Sequence, residues 1–378
     1  MNYYIIAGEA SGDLHGSNLV KELKHLDPSG TYRCWGGDLM EQAGATVVKH
    51  YRELAFMGFA EVIKNLPTIL NNLKFCKQDI LQFRPDVLIL IDYPGFNLRI
   101  AKWAKEQGFK VIYYISPQVW AWKESRVKLI KKVVDRMLVI LPFEKEFYDK
   151  WDYKVKYVGH PLAEVIDQYL KNPAPLTTAG SREENKYKDI IALLPGSRKQ
   201  EIMVKLPIML EAAKNFPQYR FIVSQAPGQP ASLYHELIGS YPHVEMAPAG
   251  QNYALLSRSR AALVTSGTAT LETALFGVPQ VVCYKGSAIS YHIAKRLVKI
   301  KYISLVNLIM DRPVVKELIQ HEVNVPQVTH ELDTILHNRQ KVEVIKNDYN
   351  QLKDLLQKDG NASQRAAQEV IGFLQHTT

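Results

Sequence analysis

Short apolar runs alternate with amphipathic segments along most of the chain, and that alternation predicts the architecture. YYIIAGE, from Tyr3, predicts a strand, and SNLVKELKHL then sets Leu19, Val20, Leu23 and Leu26 on one helical face. PDVLILID (Pro85 to Asp92) is apolar almost without a break, as in a parallel strand buried on both faces. NLRIAKWAKEQG predicts a helix stopped by Gly108, followed by strands KVIYYIS, RMLVIL and KVKYVG. From Lys171 to Lys188 the periodicity is lost in KNPAPLTTAGSREENKYK, a linker signal.

The alternation then restarts. DIIALLP, YRFIVSQA, AALVTS and PQVVCYK predict strands, with helices around Val204 to Lys214 and over TATLETALFG. The tail gives two amphipathic helices. The expected fold is α/β, with two Rossmann-like, doubly wound parallel-sheet domains facing across a cleft. The expected boundaries are 1–170, a linker at 171–188, a second domain at 189–345, and helices over 346–378 able to pack back on the first domain.

Composition narrows the class. At 378 residues with 47% apolar content, the chain can bury two cores. Cys34, Cys76 and Cys283 are scattered, which argues against a disulfide framework or structural zinc. The start carries no signal-peptide pattern, and no apolar run approaches the roughly 20 residues of a membrane span. A net charge of +9 fits nucleic acid, an acidic membrane or a phosphorylated substrate equally well. Its basic clusters, KESRVKLIKK and KRLVKIK, do not choose among the three.

Candidate chemistry gathers just after predicted strands. LLPGSRKQE (Leu193 to Glu201) joins a strand to a helix through Gly196, Ser197 and Arg198. Backbone N–H groups and a guanidinium there suit a phosphate, while a Ser197 cap beside an exposed Arg198 is the plainer reading. TSGTATLE offers a second such helix start, with Ser266, Gly267, Thr268, Ala269 and Thr270 allowing close approach. Glu272 then stands where a carboxylate meets a ribose diol, or merely complements the helix dipole. Together the two starts favour a nucleoside diphosphate.

In LILIDYPGFN, Asp92 sits at the mouth of a buried strand, where desolvation favours general-base use. The alternative has Asp92 capping a turn before Pro94 and Asn97 capping the helix. The AGEASGD loop carries Glu9 and Asp13 and no cation, so it repels phosphate rather than cradling it; Asp13 is alternatively the cap of the helix that follows. Trp120 and Trp122 stand beside basic residues, suited to stacking, acyl contact or core filling. Phe56, Met57 and Phe59 form an apolar stretch suited to acyl chains or a bilayer, or to packing on the sheet.

These strings occur in the order found in the lipid-A-disaccharide synthases, which the chain resembles from Ala7 to about Glu317: AGEASGD, ELAFMGFAEV, IDYPGFN, SPQVWAW, LPFEKEFY, VGHPL, LLPGSR and SGTATLE. The resemblance implies a GT-B fold with the nucleotide in the C-terminal domain and the acceptor largely in the N-terminal one. It implies inverting transfer of 2,3-diacylglucosamine from UDP to 2,3-diacylglucosamine 1-phosphate, giving a β-1,6 disaccharide and UDP, with no cofactor and no metal.

Asp92 then maps onto the general base. By the same resemblance Arg198 is expected to neutralise the leaving diphosphate, within a UDP site of Gly196–Arg198, Ser266–Thr270 and Glu272. Glu9, Ser11, Gly12, Asp13 and Asn307 become acceptor or sugar contacts. Phe56, Met57, Phe59, Trp120 and Trp122 become acyl or membrane contacts. The expected partners are the two lipid substrates and, peripherally, the cytoplasmic face of a bacterial inner membrane. Nucleic acid is not expected, and a homodimer is left open. Gly95 departs from the family's commoner second acid, and Asp38 from its proline. A UDP-sugar 2-epimerase of the same architecture is the runner-up.

Overall fold

The computed structural model describes residues 1–54, 66–122, 124–178, 189–286, 301–358 and 360–376. They form two compact units, Met1–Pro161 with Gln357–Thr378, and Leu162–Leu356. The units part at the first turn of the helix Pro161–Lys171, ahead of the segment expected as linker.

In the first unit the described strands are β1 (Asn2–Ala7), β2 (Thr31–Gly36), β3 (Thr46–His50), β4 (Val87–Ile91), β5 (Val111–Tyr114), β6 (Arg136–Val139) and β7 (Lys156–Tyr157). They form one parallel sheet in the order β3-β2-β1-β4-β5-β6-β7. Every residue of β4 is buried, as its unbroken VLILI run requires of a central strand. The helix Ala10–Leu26 buries Gly16, Leu19, Val20 and Leu23. Leu26, expected on the same face, is 45% exposed because the helix ends there.

The core includes one polar network. Trp35 Nε1 donates to Tyr4 Oη at 3.0 Å, and Tyr4 donates to Asp79 Oδ2 at 2.6 Å. Arg33 closes the network with a two-pronged contact to Asp79, at 2.9 and 2.5 Å. Burial opposes ionisation of Asp79, but those donors hold its carboxyl below the usual range.

In the second unit the described strands are β8 (Ile190–Leu194), β9 (Arg220–Ser224), β10 (Val244–Ala247), β11 (Ser259–Thr265), β12 (Gln280–Tyr284) and β13 (Lys316–Ile319). Their order is β10-β9-β8-β11-β12-β13, again all parallel. Arg220 and Glu245, both buried, join β9 to β10 through two bonds of 2.9 Å. The helix expected around Val204 begins at Lys199, and Pro207 lies within it.

The final helix, Ala362–Gln375, belongs to the first unit and packs on Ala10–Leu26. Arg365 donates to the Tyr157 carbonyl at 2.9 Å, and the Arg136 guanidinium lies 5.4 Å from the Phe373 ring centre. The helix before it, Arg339–Gln357, lies in the second unit apart from its last residue. All three cysteines are buried thiols. No described helix is long and apolar enough to cross a membrane.

Strand order reverses in the middle of each sheet, between β1 and β4 and between β8 and β11. Such switch points leave a crevice at the carboxyl ends of the strands, where ligands bind in doubly wound sheets. AGEASGD and IDYPGFN follow β1 and β4; LLPGSR and TSGTATLE follow β8 and β11.

Candidate active site

At the first switch point Ala7 and Ile91 are register partners, so the loops after them leave the sheet side by side. Asp92 and Tyr93 both take left-handed backbone conformations, at φ 43° and 48°. Such φ values are uncommon in non-glycine residues and require support from the surroundings. The Asp92 carbonyl receives it, accepting from Asn97 Nδ2 at 2.7 Å and from Tyr113 Oη at 2.5 Å. Asn97 Nδ2 also donates to the Ile91 carbonyl at 3.2 Å. Asn97 is therefore no helix cap; Tyr93 holds the N-cap position, and Asn97 ties the helix to the strand end.

Burial, and after it the Glu9 charge, raise the Asp92 carboxyl to about 6 against the pull of the Tyr93 N–H. A carboxylate near 6 is ionised at neutral pH yet basic enough to take a proton from a hydroxyl.

The AGEASGD loop divides in two. Glu9, Ala10 and Ser11 are exposed, whereas Gly12 and Asp13 are buried. Asp13 is 2% exposed, and its oxygens accept from the N–H groups of Gly37 (2.7 Å), Leu39 (3.1 Å) and Met40 (3.1 Å). It caps the short helix Asp38–Gln42 from the neighbouring element, and does not cap its own helix. Asp13, expected as a sugar contact, thus has three of its carboxylate's roughly four acceptor positions taken by those amides. Glu9 is the loop's exposed acid.

At the second switch point Gly196 has φ 120° and Arg198 holds the N-cap position of the helix Lys199–Ala213, so the cap expected of Ser197 is not formed. The Arg198 side chain is 70% exposed. The Ser197 and Arg198 N–H groups donate to Glu201 Oε2, at 3.1 and 3.4 Å.

After β11, Gly267 has φ 144° and Thr268 opens the helix Thr268–Leu275. Thr268 is exposed, Ala269 partly so, and Thr270 is buried with its hydroxyl donating to the Gly267 carbonyl at 2.8 Å. Ser266 Oγ donates to the Ile303 carbonyl at 3.1 Å. Thr265 is buried at the strand end with no partner for its hydroxyl among the described residues.

Glu272 accepts from Asn252 Nδ2 at 3.0 Å and from Tyr253 Oη at 3.4 Å. Burial raises it to about 7, against the pull of those donors. Nothing in SGTATLE alone signals either donor, since both lie on a different helix, Asn252–Leu256.

The remaining expected contacts separate by burial. Asn307 is 1% exposed; its amide donates to Val315 O and Glu317 Oε1 and accepts from Val315 N, all at 2.9 Å. Both amide N–H donors of Asn307, expected as a sugar contact, are thus taken within the protein, tying the helix Leu305–Met310 to Val315 and to Glu317 of β13. Trp120 is half-buried, edge-on to Phe143 with ring centres 4.9 Å apart. Phe56, Met57 and Phe59 lie outside the described residues, as does the Trp122 side chain.

Two histidines follow strands of the first sheet, His15 in the helix after β1 and His160 after β7. Burial pushes His15 down to about 4, and burial with the nearby His15 pushes His160 down to about 3, so both are neutral at pH 7. Among the described residues, no group of three or more His, Cys, Asp or Glu side chains could hold a metal ion.

The model of the lipid-A-disaccharide synthetase family matches residues 3–371. A lipid-A-disaccharide synthase of Geobacter metallireducens is 39% identical over 375 residues, covering 98% of this chain and 96% of the relative. One from Coxiella burnetii is 36% identical over 380 residues, covering 98% of each. Among solved structures, a UDP-GlcNAc 2-epimerase from Neisseria meningitidis bound to UDP-GlcNAc gives a TM-score of 0.67 at 13% identity, covering 98% of this chain and all of that one. The glycotransferase of kitacinnamycin gives 0.65 at 14%, covering 99% and 98%. These two likenesses carry the fold alone.

Proposed function

The chain belongs to the lipid-A-disaccharide synthetase family, and from that premise we propose that it transfers 2,3-diacylglucosamine from UDP to 2,3-diacylglucosamine 1-phosphate. The chain is a UDP-sugar-dependent glycosyltransferase, and its products in this reading are a β-1,6 disaccharide 1-phosphate and UDP.

Asp92 is the general base. Its carboxylate takes the proton of the acceptor 6-hydroxyl as that oxygen attacks the anomeric carbon, while the bond from that carbon to the UDP oxygen breaks. Attack opposite the leaving group inverts the anomeric centre. Charge develops on the departing diphosphate, and the Arg198 guanidinium with the helix start at Thr268 stabilises it. Glu272 accepts from the ribose hydroxyls, and Glu9 from the acceptor sugar.

The observation that carries this reading is Asp92, held by Asn97 and Tyr113 at the switch point with its carboxyl raised to about 6. The test is an assay of purified protein with both lipid substrates in detergent. Disaccharide and UDP should appear together, and UDP release should require the acceptor. An epimerase would need no acceptor, so acceptor-independent turnover would defeat the reading. A peripheral position on the cytoplasmic face of the inner membrane accords with the +9 charge, since basic surfaces are drawn to anionic lipid. Flotation with anionic vesicles, but not neutral ones, tests it.

A further inference from the structure

The loop expected to receive the diphosphate already holds an anion from the chain itself. Glu201 Oε2 accepts from the Ser197 and Arg198 N–H groups, and Oε1 lies 3.8 Å from Arg198 Nη1. The carboxylate also presses on Gly196. A Cβ at that position would stand 2.5 Å from Oε2 and 2.9 Å from Glu201 Cβ. The glycine, its positive φ, two amides and a guanidinium thus form one nest around one carboxylate.

We propose that Glu201 is a positioning residue that occupies and shapes the diphosphate nest, and that the nucleotide displaces its carboxylate on binding. This rests on the reading of Gly196–Arg198 as the diphosphate site. Two anions cannot share those donors without strong repulsion, so one replaces the other. The freed carboxylate has a cation one turn along its own helix. Lys205 stands at i+4, an arrangement in which Glu and Lys face each other. Its side chain is 2% exposed. Burial pulls the Lys205 ammonium down, and the Glu201 charge is the first opposing influence.

Glutamine keeps the capping geometry and removes the charge. Glu201→Gln in the full chain should therefore bind UDP roughly two- to fivefold more tightly by calorimetry, the range a charge at a helix start supplies. Its melting temperature should stay close to that of the parent. Lys205→Met should weaken UDP binding by a similar factor, and in the Glu201→Gln background it should change nothing, because the released charge is gone. A residue that merely caps the helix would show no such coupling. A folded Glu201→Gln protein with unchanged or weaker UDP affinity overturns the inference. Arg198→Ala separates the two levels. If it weakens UDP while Glu201→Gln fails to tighten it, only the displacement is wrong. If it leaves UDP affinity untouched, the diphosphate reading fails and the displacement with it.

Discussion

The ring of Tyr93 lies against Gly8: a Cβ built at residue 8 would stand 2.3 Å from Tyr93 Cδ1 and 2.5 Å from Cγ. This contact joins the loops after β1 and β4 beside the residue assigned as base. Asp92 and Tyr93 are both in left-handed conformations, so neither has slack to absorb a shift. Gly8→Ala should cost about 1–3 kcal/mol by overpacking. It should also lower kcat more than it raises the KM for UDP-sugar, because the displaced group is the proposed base. Steady-state kinetics alongside thermal melts check both.

Asp92→Asn should keep the fold and UDP affinity and lose most turnover, by about 10²–10⁴-fold for a general base. In the parent, activity should rise with pH and level off above about 6, as the base must be ionised. Glu9→Gln should move that limb to lower pH, since the Glu9 charge helps to raise the Asp92 carboxyl. A limb that stays in place would detach Glu9 from the base.

Stability carries the opposite sign from an ion-paired acid. A carboxyl raised on folding binds its proton more tightly when folded. Its contribution is therefore complete below the unfolded value of 3.8 and lost as pH rises through about 6. Asp92→Asn should raise Tm at pH 7.5 and leave it nearly unchanged at pH 3.5, which calorimetry at the two pH values decides.

Glu272 is raised to about 7 by burial, and the proposed acceptance from the ribose hydroxyls is strongest in the charged form. UDP affinity should fall as pH drops below about 7. Glu272→Gln should bind UDP more weakly at pH 8 and show a flatter pH dependence. Calorimetric titration of UDP at three pH values would reveal a parent profile without that slope.

Asp13 and Asn307 should behave as structural residues. Replacing either with alanine strands buried partners, at a cost of about 2–4 kcal/mol. Losses of activity should follow the loss of folded protein. Normal stability with a selective rise in substrate KM would return them to the binding site.

Much of the fold was legible because buried parallel strands such as VLILI and IIALL are continuous apolar runs, and the loops after them carried unusual chemistry. The strands without such a run, β2, β3, β10 and β13, flank the central ones. Sequences such as TVVKH and KELI mix polar and apolar residues, since an edge strand needs less burial.

By itself the sequence determined the two α/β units, the four loops at their switch points and the family. Those follow from local periodicity and from strings of residues adjacent in the chain. Tertiary structure alone decided which polar side chains face outward. Asp13 is spent on amides from residues 37–40, Asn307 on residues 315 and 317, and Glu201 on the loop before its own helix. Asp92 is poised by Asn97, Tyr113 and Glu9, contributed by three separate segments. A carboxylate's chemistry depends on which donors and charges surround it, and for Asp13 and Asp92 those come from segments the folded sheet brings beside them.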